Sequence, residues 1–150
     1  MFLEIEITSG EYSISTDKSK LNIELVHDFL SKSYWAMDIP KAVVKNAVRH
    51  SLCFGVYRDD QQVGFARVIS DFSTFAYMAD VFILEEHRGK GLGKLLVETM
   101  IDHPDLLRMP RWMLLTKDAN DLYQKMGFAR PEKPERIMER LDPTAFDESA

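Results

Sequence analysis

The spacing of apolar residues along the chain alternates between the two-residue period of a strand and the helical period of about 3.6 residues. Strand-like segments lie between polar turns, and the turn RDDQQ joins two of them as a predicted hairpin. On this basis six strands are predicted, at residues 12–15, 51–57, 63–70, 75–84, 112–115 and 136–141.

Helical spacing fills the intervals between those strands. The first helix begins near residue 20, and the second carries Pro40 in its first turn, where a missing backbone N–H is tolerated. The third ends near His103, because Pro104 disfavours helical geometry in the residue before it. The fourth is a short helix at 119–126, closed by Gly127. The second helix is predicted to have one apolar side, formed by Val43, Val44, Ala47 and Val48.

This order of elements predicts an α+β fold. Antiparallel hairpins come first and a strand–helix–strand–helix half follows, which predicts a mixed, largely antiparallel central sheet flanked by about four helices. We expect a single domain over residues 1–141. The polar stretch at 142–150 is predicted to be a flexible tail.

Composition and charge argue against several classes of function. The chain has 150 residues, 45% of them hydrophobic, and a formal net charge of -5, whereas a nucleic-acid binder needs a broad basic surface. No apolar run approaches the ~20 residues that a membrane-spanning helix requires. The single cysteine, Cys53, lies in the apolar run LCFGVY, which favours a buried thiol and a reducing, cytoplasmic location. The four histidines lack metal-ligand spacing, so no metal is predicted.

The stretch EEHRGKGLGKLL, at residues 85–96, concentrates glycine and positive charge after the apolar run VFIL. Its spacing does not match the Walker A loop or the dinucleotide fingerprint G-x-G-x-x-G. The pattern that matches is Arg88-x-x-Gly91-x-Gly93, between a strand and a helix. Small residues leave successive backbone N–H groups accessible and the helix adds its positive dipole end, so the loop suits a phosphate or pyrophosphate. The alternative is a glycine-rich connection that binds nothing.

The segment VFILEEHRGKGLGKLLVETMI resembles the coenzyme A-binding signature of the GNAT superfamily of acyl-CoA-dependent N-acetyltransferases, whose core pattern is Arg or Gln-x-x-Gly-x-Gly or Ala. A second family feature is a Tyr near the end of a short helix before a Gly-Phe strand start. Its counterpart here is DLYQKMGF, with Tyr123, Gly127 and Phe128. The order of elements is also similar over nearly the whole chain. The resemblance therefore implies a GNAT-like sheet with a splayed pair of strands.

The resemblance implies acetyl-CoA as co-substrate and assigns its binding to two neighbouring segments. The pantetheine arm would lie along the strand before the glycine loop, and the pyrophosphate would accept hydrogen bonds from the loop. The thioester would lie in the gap between this strand and the next. The residues assigned in this way are Val81, Phe82, Ile83, Arg88, Gly89, Lys90, Gly91, Leu92, Gly93 and Lys94.

For catalysis the resemblance implies direct attack of an amine on the acetyl carbonyl, with Tyr123 protonating the departing thiolate. A structural core tyrosine is the alternative role for that residue. Several family members place a general-base Glu in the strand after the signature helix, but this chain has MLLT there. Asp80 is the substitute candidate for the base and Asp71 a weaker one, while a water molecule could serve instead. The alternative roles for Asp80 are an outward polar residue of an alternating strand or a hydrogen-bonding group near the splay.

The acceptor amine is expected to meet the segment SKSYWAMDIP, because the family sets acceptor specificity near its first two helices. Tyr34 and Trp35 are the candidate substrate-binding residues there; such rings recognise cations or aryl groups, or else plug the core. Arg67 could approach an acidic acceptor group or face solvent. No nucleic-acid or membrane partner is expected, and a homodimer stays open because dimers are common in the family.

Together these expectations describe an enzyme, an acetyl-CoA-dependent N-acetyltransferase acting on a primary amine of a small molecule or peptide. The alternative is a catalytically idle acyl-CoA-binding sensor or regulatory module. The presence of Tyr123 counts against that alternative.

Overall fold

The computed structural model describes residues 3–147, and residues 1, 2 and 148–150 lie outside that range. Within it, one mixed sheet is combined with four α-helices, as the sequence predicts. The strands are β1 (Glu6–Ser9), β2 (Tyr12–Ser15), β3 (Leu52–Arg58), β4 (Gln61–Ser70), β5 (Ala76–Ile83) and β6 (Trp112–Met113). The helices are α1 (Ile23–Ser31), α2 (Lys41–Arg49), α3 (Leu92–Ile101) and α4 (Asn120–Lys125).

The six strands lie side by side in chain order, β1 to β6. Every neighbouring pair from β1 to β5 is antiparallel, and β5 and β6 are parallel because α3 crosses over between them. The predicted α+β class and the largely antiparallel sheet are confirmed.

β5 is paired very differently on its two sides. Towards β4 its register extends from Ser70↔Ala76 to Gly64↔Ile83, with one bulge between Phe65 and Arg67. Towards β6 only Ala76↔Trp112 and Tyr77↔Met113 are paired. Beyond Tyr77 the two strands separate, which confirms the splayed pair that the family resemblance implies.

Side chains alternate between the two faces of the sheet and form two cores. On one face Phe54, Leu96 and Met100 are fully buried where α3 packs. On the other face Phe65 and Val26 are fully buried beneath α1 and α2. The sheet is thus covered on both faces, and the splay of β5 and β6 opens at its edge.

Three details of the sequence prediction differ from the structure in the first 115 residues. β1 was not predicted, although Ile5 and Ile7 alternate with polar residues and pack against the core. Val43 is exposed and does not join Val44 and Val48 in the core. The predicted strand at 112–115 is shorter, since pairing with β5 stops after Met113.

The predicted strand at 136–141 is wrong. Pro134–Arg136 forms a short 3-10 turn, and the following residues are neither strand nor helix. Met138 is 93% exposed and Leu141 76% exposed, so this segment buries too little apolar surface to hold a strand in the sheet. At 142–147 the chain forms turns, one of them held by Asp142. The flexible tail stays a prediction, and residues 148–150 lie outside the described range.

Candidate active site

A cleft of about 1070 Å³ lies where β5 and β6 diverge. Its walls come from β5, the glycine loop, the segment between α1 and α2, the chain after β6, and α4. Most of the residues predicted for the site meet in this one cleft. They are Tyr34, Trp35, Asp80, Val81, Phe82, Ile83, Arg88, Gly89, Gly91, Leu92, Gly93 and Tyr123.

The glycine loop uses a backbone shape that L side chains rarely adopt. Gly89 has φ 76° and Gly91, the N-cap of α3, has φ 79°. A Cβ added at either position meets nothing within 4 Å. Glycine is therefore needed there for its left-handed conformation, and the open space beside it is available to a ligand.

Six consecutive amides of the loop face no internal acceptor. The N–H of Arg88 bonds to the carbonyl of Glu85, and that of Leu95 bonds to Gly91. Within residues 3–147, the N–H groups from Gly89 to Lys94 have no hydrogen-bond acceptor. Such an array at a helix N-terminus, with the helix dipole behind it, suits a pyrophosphate. The loop therefore fits the coenzyme that the family resemblance implies.

Tyr12 on β2 ties the loop to the sheet. Lys90 Nζ donates to the Tyr12 hydroxyl at 3.3 Å and lies 5.7 Å from the centre of its ring. The same hydroxyl lies 2.9 Å from Nδ1 of His87, to which it donates when the imidazole carries its proton on Nε2. Lys90 does not line the cleft, and its contact with Tyr12 holds the loop in place instead.

Arg88 and Lys94 also have internal partners. Arg88 Nε donates to the Ile83 carbonyl at 2.8 Å, which fixes the end of β5 against the loop. Lys94 lies 3.8 Å from Glu98 one turn further along α3 and does not line the cleft. Arg88 keeps guanidinium donors for an anion, because a single bond to Ile83 uses only its Nε.

The side of β5 that faces the splay has a backbone edge that, within the described range, pairs with no strand beyond Tyr77. Val81, Phe82 and Ile83 line the cleft beyond the last pair with β6. An unpaired strand edge presents N–H and C=O groups that an amide-bearing ligand can pair with. This edge leads directly into the loop with the six free amides.

α4 places Tyr123 with its ring in the core, and the residue lines both the cleft and a second cavity between β6 and residues 128–137. The residue is 8% exposed, and its ring meets Phe128 edge-on at 5.9 Å between centroids. Burial raises the pKa of Tyr123 above its ordinary value, and the charges of Tyr34 and Asp118 add to the rise. The hydroxyl therefore keeps its proton at neutral pH. Both readings of this tyrosine, as a core residue and as a proton donor, are compatible with its position.

Asp80 is the centre of a hydrogen-bonded network. Its Oδ2 accepts from Arg67 Nε at 2.6 Å, and its Oδ1 accepts from Trp35 Nε1 at 2.9 Å. Arg67 Nη1 also donates to the Ser51 hydroxyl at 3.1 Å, and that hydroxyl donates to the Ala47 carbonyl. Asp80 has φ 55°, a conformation rare for a non-glycine residue, and it lies at the bulge in the pairing of β4 with β5.

The two remaining candidate residues, Tyr34 and Asp71, lie in different parts of the structure, and only Tyr34 lines the cleft. Tyr34 is exposed at the cleft mouth, with Lys117 Nζ 5.2 Å from its ring centre. Asp71 does not line the cleft: its carboxylate accepts from the backbone N–H of Ser73 and Thr74 within its own turn. The Thr74 hydroxyl also donates to this carboxylate. That bond is the largest cause, ahead of the backbone bonds, of a pKa of Asp71 well below its ordinary value. Asp71 is thus a turn residue.

Sequence reasoning missed three residues of this site. Tyr12 and Ser51 were not singled out, because their partners lie 75 and 16 residues away in the chain. Phe146, from the predicted tail, also lines the cleft. No local pattern marks such contacts, since they exist only once the sheet has formed.

The described part of the chain has neither a metal-binding cluster nor a membrane-spanning helix. Residues 3–147 contain no group of three or more His, Cys, Asp or Glu side chains placed to hold a metal ion. Over the same range no helix is long and apolar enough to cross a bilayer.

Comparison with known proteins agrees with this geometry. The family described as "Acetyltransferase (GNAT) domain" matches residues 49–130. A protein of Gibberella zeae that is named as an acetyltransferase is 36% identical over 142 residues, covering 79% of this chain and 78% of its own.

Solved structures show the same likeness. A crystal structure from Xanthomonas campestris, described as belonging to the GNAT family, is 50% identical with a TM-score of 0.87, over 91% of this chain and 96% of that one. Glucosamine-6-phosphate N-acetyltransferase from Arabidopsis thaliana shares the fold, with a TM-score of 0.59 at 16% identity over 95% of this chain and 99% of that one.

Proposed function

The chain belongs to the GNAT acetyltransferase family and is an acyltransferase, and from that premise we propose that it transfers acetyl from acetyl-CoA to a primary amine. The acceptor amine belongs to a small molecule or a peptide. The observation that carries the proposal is the run of six unpaired amides from Gly89 to Lys94 beside an open strand edge.

The loop and β5 divide the binding of the coenzyme between them. The free amides, the α3 dipole and the spare donors of Arg88 take the pyrophosphate. The open edge at Val81, Phe82 and Ile83 pairs with the amide groups of the pantetheine arm. Neither Lys90 nor Lys94 lines the cleft, so Lys90 assists by holding the loop through Tyr12 and Lys94 assists only by its charge.

Tyr123 supplies the proton for the leaving group. When bound, acetyl-CoA supplies an activated acyl group as a thioester. A thiolate leaves more readily when a nearby acid protonates it, and the raised pKa of Tyr123 keeps its hydroxyl protonated for that step. Its position in the cleft shared with β5 and the loop supports this role.

We propose that water removes the proton from the acceptor ammonium. Asp80, the candidate base, already accepts one hydrogen bond on each oxygen, from Arg67 and from Trp35. Protonating it would weaken its ion pair with Arg67. We therefore assign Asp80 a positioning role at the acceptor side, and Tyr34 and Trp35 form the wall that the acceptor meets.

The test measures thiol release from acetyl-CoA across a panel of amines, amino acids, polyamines and peptide N-termini. Turnover with one acceptor class is expected, and Tyr123→Phe should lower kcat by about 10- to 100-fold with little change in acetyl-CoA affinity. Tyr57→Phe is the matched control, because the Tyr57 hydroxyl is buried outside the cleft without a hydrogen-bond partner in the described range.

The outcomes separate the alternatives. Acetyl-CoA binding without turnover anywhere in the panel would support an idle sensor instead. Equal rates for Tyr123→Phe and Tyr57→Phe would remove the proton-donor role from Tyr123. Failure to bind acetyl-CoA at all would overturn the proposed function.

A further inference from the structure

The side chain of Arg67 is unusual for its place in the sheet. It projects from the central strand β4, beside the bulge in the pairing of β4 with β5. Its side chain is 17% exposed. Its partner Asp80 is 10% exposed. A buried ion pair is weak as a source of stability, because the cost of removing both charges from water offsets most of their attraction. Its place in the cleft suggests a role in recognition.

The guanidinium is held rigidly while part of it stays available. Asp80 fixes its Nε and the Ser51 hydroxyl fixes one Nη1 hydrogen. A guanidinium has five N–H donors, and those two are the only ones with an acceptor among residues 3–147. Arg67 lines the cleft beside Asp80 and Tyr77, so its remaining donors are available to a ligand.

Asp80 and Ser51 act as the orienting groups of this arrangement. The Asp80 carboxylate accepts one hydrogen bond from Arg67 on β4 and another from Trp35 in the segment between α1 and α2. Two separate parts of the chain therefore fix its orientation. Ser51 is fixed in turn by its bond to the Ala47 carbonyl on α2. An arginine whose plane is set before binding loses little side-chain entropy when it takes a planar, two-oxygen group.

The wall next to Arg67 is apolar and aromatic. Phe29 stacks on Phe82 of β5 with ring centroids 3.9 Å apart, and Trp35 lies 6.3 Å from Phe29. Ile39 lines the same part of the cleft. A ligand here therefore meets one fixed cation with open donors beside a hydrophobic surface.

Resting on the proposed function, we propose that Arg67 binds a carboxylate of the acceptor, which makes the acceptor an amino-acid-like amine with an apolar body. The carboxylate anchors on Arg67, the apolar body lies against Phe29 and Trp35, and the amine points into the gap between β5 and β6. Arg67 is then a specificity-determining residue, and Asp80 and Ser51 are positioning residues.

The experiment compares acceptors that differ only in the carboxylate. Phenylalanine, methionine and 4-aminobutyrate are each paired with their primary amide, and thiol release from acetyl-CoA is followed. The amides of the α-amino acids carry the less basic amine, so more of it is unprotonated at neutral pH. A preference for those acids therefore cannot come from the amine. We expect at least one acid to exceed its amide by about tenfold or more in kcat/KM, mainly through KM.

Two variants test Arg67 itself. Arg67→Lys keeps a cation for Asp80 but loses the planar fork, and should reduce the acid-to-amide preference. Arg67→Gln combined with Asp80→Asn removes both charges together, so neither is left unpaired, and should abolish the preference. Arg58→Gln is the control, because Arg58 of β3 pairs with Glu11 in the β1–β2 turn and does not line the cleft. It should keep the wild-type ratio.

Each result decides the inference. Turnover of the amides at rates equal to or above their acids, or turnover of no member of the panel by a protein that binds acetyl-CoA, overturns it. So does an unchanged acid-to-amide ratio in the double variant, since a merely structural pair would alter stability and leave the ratio intact. Absence of acetyl-CoA binding, measured by calorimetry on the wild type, overturns the proposed function as well and so identifies which claim has failed.

Discussion

The two sides of β5 show how one strand serves both stability and binding. On the β4 side it is paired from Ala76 to Ile83 with one bulge, and Phe65 and Val68 of β4 are completely buried. On the β6 side two residue pairs hold it, and Leu115 beyond the splay is 76% exposed. The paired side stabilises the domain and the open side leaves backbone groups for a ligand. Function therefore depends on what the sheet leaves unpaired.

The largest expected difference between the two sides is in stability. Phe65→Ala should lower the free energy of unfolding by about 3–5 kcal/mol, because it leaves a cavity in a fully buried position. Leu115→Ala should change it by less than about 0.5 kcal/mol, because that side chain is already in water. Urea unfolding measures both. Similar losses for the two variants would contradict the contrast between the sides.

The next largest effect is expected in coenzyme binding. Gly91→Glu places a side chain and a negative charge at a left-handed position within the anion-binding loop. It should weaken acetyl-CoA binding by about 100-fold or more, measured by calorimetry. Gly10→Glu is the matched control, with φ 59° in the β1–β2 turn and the same open surroundings. Comparable affinity in both folded variants would show that the loop does not hold the coenzyme.

A smaller effect is expected where β2 supports the loop. Tyr12→Phe removes the hydroxyl that Lys90 and His87 share, and should raise the dissociation constant for acetyl-CoA by about three- to tenfold, the worth of one or two ordinary hydrogen bonds. kcat at saturating acetyl-CoA should change little. Tyr57→Phe serves again as the control and should leave the affinity unaltered. A Tyr12→Phe protein with wild-type affinity would mean that the loop keeps its shape unaided.

The effect that vanishes at neutral pH is an alkaline loss of stability on the paired side. Burial raises the pKa of Tyr57 from 10.0 to about 12 and that of Cys53 from 9.0 to about 11. The folded protein keeps protons that the unfolded chain releases, so stability is full below the ordinary values and falls as pH rises towards the raised ones. Melting temperature should decline over that window, and less steeply in Tyr57→Phe. A decline of equal slope in both proteins would remove Tyr57 as a cause.

The parts of the site that the sequence could predict are those encoded by local spacing. The Arg88-x-x-Gly91-x-Gly93 pattern predicted the loop, and the helix pattern around Tyr123 predicted the helix that carries it, because glycine conformation and helix faces follow from neighbouring residues. The splay of β5 and β6 came from the family resemblance. No local signal indicates where strand pairing stops.

The parts that could not be predicted depend on contacts between distant elements. The sequence left a base role, an outward position and a hydrogen-bonding role open for Asp80, because its partners come from other elements. Arg67 meets it across the bulge between β4 and β5, and Trp35 reaches it from 45 residues away. The tie from Tyr12 to His87 spans 75 residues. At 136–141 the alternation suggested a strand, yet without a partner strand the segment stays exposed.

Hydrogen exchange of the backbone amides, measured with and without acetyl-CoA, tests the central claim most directly. The account predicts that binding slows exchange from Val81 through Lys94, most strongly for the six loop amides that lack an internal acceptor, while β1 and β2 are unchanged. Protection confined to another surface, such as the second cavity between β6 and residues 128–137, would contradict it, as would bound acetyl-CoA that leaves the loop unprotected.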